Sequence, residues 1–294
     1  MNELDFYREH SAMTDPGRFA AVWDTVNPTI EDMAAAVLPL VFHYRGDGPF
    51  AENGIAEARI EEVNLRYAED MLACIASHKP IEPGAVRLPH ERMVGCCRDW
   101  ALLLVSQARH HGYAARSRVG FASYFAAGWW IDHTVAEVWD EDQRRWRLVD
   151  AELRGPWVMA SGQPVNPTDL SRDIFLPGPD AWRLVRAGEL RAEAFVVAPE
   201  IPEPSLRGIP YLWHNGVQDL AALNRHEMVL WDVWGIDAEE VNAAGATLLD
   251  RVAAAESLEE RRRFYSMDAF RVPATVLSFR PYAPVPPVEV TLRA

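Results

Sequence analysis

The chain has 294 residues, 49% of them hydrophobic and 24% charged, with 29 basic against 43 acidic side chains and a net charge of −14. Such a composition buries a sizeable core and excludes disorder, and its negative field opposes nucleic-acid phosphates and anionic membrane surfaces, so neither is expected as a partner. No apolar run reaches membrane-spanning length, and Met1-Asn2-Glu3-Leu4-Asp5 has no basic region leading into an apolar core, which makes the expected location cytoplasmic.

Up to about residue 18 the chain is polar, and Asp15-Pro16-Gly17 reads as a turn into a short helix through Trp23. Asn27-Pro28-Thr29 starts a second helix over 30–44, with Met33, Val37, Leu40 and Val41 at helical spacing and Pro39 as a kink. A third helix is expected over 60–77, carrying Val63, Tyr67, Met71, Leu72 and Ile75 on one face and acidic residues on the other. Cys74 on that helix reads as a small buried hydrophobe. Residues 79–90, with three prolines and a glycine, form an irregular connection that delivers the chain to Gly95.

A buried helix follows from Cys97 and stops at His111-Gly112, where glycine supplies the C-terminal stop and histidines suit the negative end of the dipole. Residues 114–121, 134–139 and 146–149 are short β-forming segments, the last two separated by the polar turn region 140–145. One helix followed by an antiparallel meander is an α+β signature. Beyond Asp150 the chain is loop-rich to Pro179. Helical patterns return at 181–190, 217–229, 238–248 and 258–265, and the proline-rich tail 271–294 reads as an extended strap. The expected organisation is an N-terminal helical segment over 1–90, a core over 91–155, and a C-terminal helical and loop extension over 156–294 that forms one compact unit with the core.

Three cysteines, Cys74, Cys96 and Cys97, are too few for a disulfide framework and are expected to be free thiols. Cys96 and Cys97 sit where loop becomes helix, and a helix start presents backbone N–H groups and partial positive charge that stabilise a thiolate and later an oxyanion. A thiol becomes an efficient nucleophile when an imidazole accepts its proton and a third group fixes the imidazole's tautomer. His133, entering the strand 134–139, and Asp150, closing the strand 146–149, supply both roles on adjacent antiparallel strands. One residue along a helix turns a side chain by about 100°, so Cys96 and Cys97 cannot both face one imidazole.

A metal centre from Cys96, Cys97, His90, His110 and His111 lacks a zinc spacing, and no metal and no cofactor is expected. Asp99 in a helix's first turn is accounted for by the dipole, with Arg98 or Arg116 as its partner. Trp130 and Trp231, from the clusters Trp129-Trp130 and Trp231-Asp232-Val233-Trp234, are candidate substrate-binding walls, and Asn64 is a candidate oxyanion donor beside the Cys97 N–H.

Gly95-Cys96-Cys97-Arg98-Asp99-Trp100-Ala101 resembles the G-x-C-x-D-x-A signature of the transglutaminase-like superfamily, with Cys97 at the nucleophile position and Cys96 at a variable one. The run from Gly112 through Ala115-Arg116 to Gly120-Phe121 is similar to the strand that follows in that family. His133 with Glu137 and Val138 resembles its histidine strand, and Trp146 with Asp150 its aspartate strand. Val135 stands where an aromatic residue is common, and Ala151 where proline is common. The flanking segments resemble uncharacterised bacterial proteins that carry this domain.

The resemblance implies a papain-like α+β core, with the nucleophile helix packed on an antiparallel sheet and further helices at both ends. It also implies a Cys97-His133-Asp150 triad and chemistry through a Cys97 acyl-enzyme: amide hydrolysis or acyl transfer on a peptide-like or small amide or thioester substrate. The alternative is a binding protein that keeps the fold without the chemistry.

Overall fold

Short helices open the chain and a five-stranded sheet follows them, an α+β arrangement. The computed structural model describes residues 2–155, 157–159, 161–235, 243–282 and 285–293. By internal contacts the chain divides into two units. One comprises Met1–Ser117, Val135–Gly155 and Asn166–Asp169, and the other comprises Arg118–Thr134, Pro156–Val165 and Leu170–Ala294.

In the first unit, α1 (Glu3–Arg8) is capped by Asn2, whose side chain accepts the Asp5 N–H, and it buries Phe6 and Tyr7. Gly17–Thr25 is a 3-10 helix. α2 (Ile30–Val37) begins at Thr29, whose hydroxyl accepts the Asp32 N–H. It ends well before the expected residue 44. Pro39 cannot donate to the helical ladder, so Leu38–Leu40 tightens into a 3-10 turn and the β-forming Val41–His43 extends as strand β1.

The helix expected over 60–77 divides in the same way. Glu57–Asn64 is a 3-10 helix, the chain straightens at Leu65 and Tyr67, and α3 (Ala68–His78) then buries Met71, Leu72 and Ile75. β1 lies parallel to β2 (Met93–Gly95), with Val41 opposite Met93 and His43 opposite Gly95. This pair carries the chain into α4 (Cys97–His110), which is buried almost throughout. Gly112, at φ 82°, ends α4 in the left-handed region that glycine tolerates best. Buried Arg109 joins the helix to what surrounds it, donating from Nε to the Tyr7 and Ala115 carbonyls at 3.2 and 3.0 Å and from a terminal nitrogen to Thr14 Oγ1 at 2.8 Å.

β3 (Ala115–Ala122), β4 (Trp130–Asp140) and β5 (Arg145–Val149) form the expected meander. A short antiparallel pair follows, β6 (Trp157–Val158) with β7 (Pro164–Val165), and then β8 (Phe175–Pro177). The order in the main sheet is β5-β4-β3-β8. β4 starts four residues earlier than its local pattern predicts because Trp130 and Ile131 pair in parallel with Phe195 and Val196 of β9 (Phe195–Val196), more than sixty residues downstream.

The second unit packs its helices closely. α5 (Gly178–Arg186) runs against α6 (Gly208–Leu223), and a Cβ on Gly178 would come within 2.6 Å of the Asn215 carbonyl, so glycine sets that approach. α6 starts well before the expected 217 and stops at Leu223, since its apolar residues continue past the helix into a turn. Of the helix expected over 238–248, residues 238–242 lie outside the described residues, and α7 (Ala243–Ala253) covers the rest. β10 (Asp232–Val233) precedes it, and α8 (Leu258–Tyr265) follows with a Ser257–Glu260 capping box. The tail is extended and also paired: β11 (Thr275–Ser278) lies antiparallel to both β10 and β12 (Val288–Thr291). Among the described residues no helix is long and apolar enough to cross a membrane.

Gly120 shows how tightly β3 meets β8. It pairs with Pro177, and an added Cβ would lie 2.2 Å from the Leu176 carbonyl oxygen and 2.8 Å from Pro177 Cα. Both obstacles are backbone, so no rotamer change relieves them. Gly120→Ala is expected to cost about 1–3 kcal/mol through forced strand separation, read as a fall in the urea midpoint at unchanged m-value.

Candidate active site

The turn from β2 into α4 is built by four residues of the seven-residue motif. A Cβ on Gly95 would fall 2.6 Å from Asp99 Oδ2 and 2.7 Å from Val41 Cγ1, so the space a side chain would fill belongs to the Asp99 carboxylate. That carboxylate accepts the Cys96 N–H at 2.9 Å and caps the helix. Arg98 donates to Asp99 Oδ1 at 3.1 Å and also to the carbonyls of Leu65 and Arg66, at 3.2 and 2.8 Å. Of the two sequence-expected partners of Asp99, Arg98 is therefore the one found, whereas Arg116 donates to Glu137 and Glu3. Burial pushes the Asp99 carboxyl above its ordinary pKa against the pull of Arg98. Ala101, one turn into the helix, is buried.

This frame puts Cys97 at the first position of α4, buried at 6% exposure, after an extended Cys96 at φ −141°. The two thiols have different fates. Cys96 is hydrogen-bonded to the Cys97 side chain, which pulls its pKa down, but burial and the Asp99 carboxylate push harder and leave it above the ordinary thiol value. Of the pair, Cys96 is thus held as a thiol.

His43, opposite Gly95, stacks on Trp100 with centroids 6.2 Å apart, and its Nδ1 accepts the N–H groups of Arg45 and Gly46 at 3.1 and 2.9 Å. It fixes the loop after β1, a role that the expected helix through residue 44 concealed.

His133 lies on β4, buried at 3%, within an aromatic enclosure in the second unit. Its ring meets Phe125 edge-on at 4.9 Å, with Tyr124 at 6.0 Å and Phe175 at 6.4 Å. The preceding residue, Asp132, anchors the strand by accepting from Tyr211 Oη at 2.7 Å and from Asn215 Nδ2 at 3.3 Å.

Asp150 follows β5 directly and is buried at 2%. Its N–H donates to the Pro167 carbonyl at 2.7 Å, and its Oδ1 accepts the Glu152 N–H at 3.0 Å. The β4–β5 register pairs Ala136 with Val149, the last residue of β5 before Asp150. Strand alternation gives Val135 the face that His133 and Glu137 share along β4.

The three further candidates lie on separate elements. Asn64 ends the 3-10 helix Glu57–Asn64, its side-chain amide facing Glu61 at 3.3–3.4 Å, next to the Leu65 and Arg66 carbonyls that Arg98 holds. Trp130 begins β4, stacks on Phe195 with centroids 5.7 Å apart, and lines a cavity of about 290 Å³ together with Trp129, Glu189 and Arg191. Trp231 precedes β10, its carbonyl accepting the Phe279 N–H, and does not line that cavity.

Residues 67–151 match the family described as Transglutaminase-like superfamily. No curated protein matches the chain. Among solved structures it is similar to a cysteine-protease candidate from Cytophaga hutchinsonii, at 12% identity over 57% of this chain and 47% of that one, with a TM-score of 0.36. It is also similar to red sea bream transglutaminase, at 12% identity over 88% of this chain and 42% of that one, with a TM-score of 0.32. The chain thus spans less than half the length of each.

Proposed function

Starting from residues 67–151 as a member of the transglutaminase-like superfamily, we propose that this chain is a thiol enzyme working through a Cys97 acyl-enzyme on a peptide-like or small amide or thioester. The observation that carries the reading is the turn at α4. It presents one cysteine at the first position of a buried helix while its neighbour is held as a thiol. His133 takes the Cys97 proton, and the thiolate attacks the substrate carbonyl. The N-terminal N–H groups of α4, that of Cys97 among them, receive the developing oxyanion, with the Asn64 amide as a second donor. Asp150 orients His133 and stabilises its imidazolium. The leaving amine or thiol takes the proton back from His133, and water or an amine then accepts the acyl group. Trp130 supplies an apolar wall for the substrate, and Trp231 is a second candidate. Three free thiols suit a reducing compartment such as the cytoplasm.

Iodoacetamide at pH 7 tests this without knowledge of the substrate. Cys97 is expected to alkylate about tenfold or more faster than free cysteine, with the adduct located by peptide mass and the rate falling in His133→Ala. A Cys97 that reacts no faster than free cysteine would favour a binding protein that keeps the fold without the chemistry.

A further inference from the structure

A second group of ligating side chains lies in the first unit, and the proposed mechanism makes no use of it. Cys74 and His78 stand four residues apart on α3, one turn apart on the same helix face, and Glu62 from the 3-10 helix Glu57–Asn64 faces them. Cys74 Sγ is 3.6 Å from His78 Nε2, that nitrogen is 3.0 Å from Glu62 Oε1, and the three ligand atoms all lie within 4.8 Å of one another. A tetrahedral zinc ion, with bonds of about 2.3 Å to sulfur and 2.0 Å to nitrogen and oxygen, separates sulfur from nitrogen by about 3.5 Å and nitrogen from oxygen by about 3.3 Å. The observed separations of 3.6 and 3.0 Å fall close to those edges.

The carboxylate is held in advance. Glu62 Oε2 accepts the Val94 N–H at 2.8 Å, and Arg59 donates to both carboxylate oxygens, at 2.7 and 3.1 Å. Arg59 is itself fixed by the carbonyls of His90 and Arg92. Partners of this kind commonly orient a metal-binding carboxylate from behind. A thiolate and a carboxylate together outweigh the single Arg59 charge, so a divalent cation enters a site of net negative charge. With protons alone the cluster is crowded: Glu62 receives hydrogen bonds from Arg59 and His78, while Nε2 of His78 has one position to share between Glu62 and Cys74.

We propose that Cys74 Sγ, His78 Nε2 and Glu62 Oε1 form a structural zinc-type site that takes Zn²⁺ or a similar borderline divalent ion, with water as the fourth ligand. Binding exchanges the S–H bond for a sulfur–metal bond and releases one proton. The imidazole carries its hydrogen on Nδ1, and no electrons are transferred. The sulfur ligand selects against Mg²⁺ and Ca²⁺. Bound metal ties α3 to the Glu57–Asn64 helix and, through Val94, to the strand that delivers Gly95.

Chelator-treated full-length protein titrated with Co²⁺ near neutral pH tests the site. About one equivalent is expected to bind, with a thiolate-to-cobalt absorption band and release of about one proton per ion. The band is expected to persist in the Cys96→Ala/Cys97→Ala double variant and to vanish in Cys74→Ser and in His78→Gln. His78 is part-exposed, so His78→Gln serves as a variant whose fold is little disturbed, checked by its far-UV circular dichroism. A band that survives Cys74→Ser, a band lost in the Cys96→Ala/Cys97→Ala variant, or no uptake at equimolar Co²⁺ would each overturn the proposal. None of these readouts depends on catalytic activity.

Discussion

Cys97→Ala is expected to abolish acyl-enzyme formation and to lower kcat/KM on a cleaved amide or thioester by at least about 10³-fold, with His133→Ala close behind. The loss is expected in kcat, because removing a nucleophile or its base takes away an interaction that exists only along the reaction path and leaves substrate contacts in place. Asp150→Asn is expected to fall in the same range, since an amide can hold the imidazole in the wrong tautomer. Cys96→Ala is the discriminating control: a thiol that burial and Asp99 hold protonated contributes no thiolate, so activity is expected to stay within about threefold of the parent. A panel of acyl thioesters and peptide amides, followed by intact mass, provides the assay. The trapped acyl group is expected on the peptide containing Cys97. Full turnover by Cys97→Ala would remove the proposal.

The turn into α4 is legible because its local geometry is confined to seven consecutive residues. Each has a local physical reason that a sequence pattern can carry: Gly95 leaves space, Cys97 opens the helix, Asp99 caps it and Ala101 packs within it. The support beneath the turn was not legible. Val41 and Leu40 continue the apolar helical spacing of Met33 and Val37, and only the pairing of Val41–His43 with Met93–Gly95 decides that this stretch is a strand. The Glu62, Cys74 and His78 cluster was hidden for a related reason. Read as one continuous helix over 60–77, residues 62 and 74 lie about three turns apart, and the straightened chain at Leu65 and Tyr67 is what folds them together.

Elsewhere the same rule separates what could be read from what could not. α4, the meander β3 to β5 and α8 follow from periodicity, turn residues and caps within a few residues of each element. The first residues of β4 depend on β9, and the tail becomes a paired sheet only because β10 and β12 flank β11. Tertiary pairing of this kind leaves no mark within a ten-residue window.

Asp219→Ala is expected to destabilise the second unit by about 3–5 kcal/mol, a large share of the stability of an ordinary domain. Asp219 on α6 is fully buried and holds Arg118 of β3 in a bidentate pair, at 3.0 Å from Nε and 2.9 Å from a terminal nitrogen, while also accepting the Val119 N–H at 2.9 Å. Truncation takes the bidentate carboxylate from a buried guanidinium and the Asp219 acceptor from the Val119 N–H, and the desolvation of these groups is what makes the loss large. Asp219→Asn preserves an acceptor for Val119 and is expected to cost less than Asp219→Ala. Arg118→Met combined with Asp219→Leu removes both charges and is expected to recover much of the loss, so the double variant should be more stable than Asp219→Ala alone. Urea unfolding measures all three. A cost below about 1 kcal/mol for Asp219→Ala would place the pair among solvent-screened surface bridges and remove it as the tie between α6 and β3.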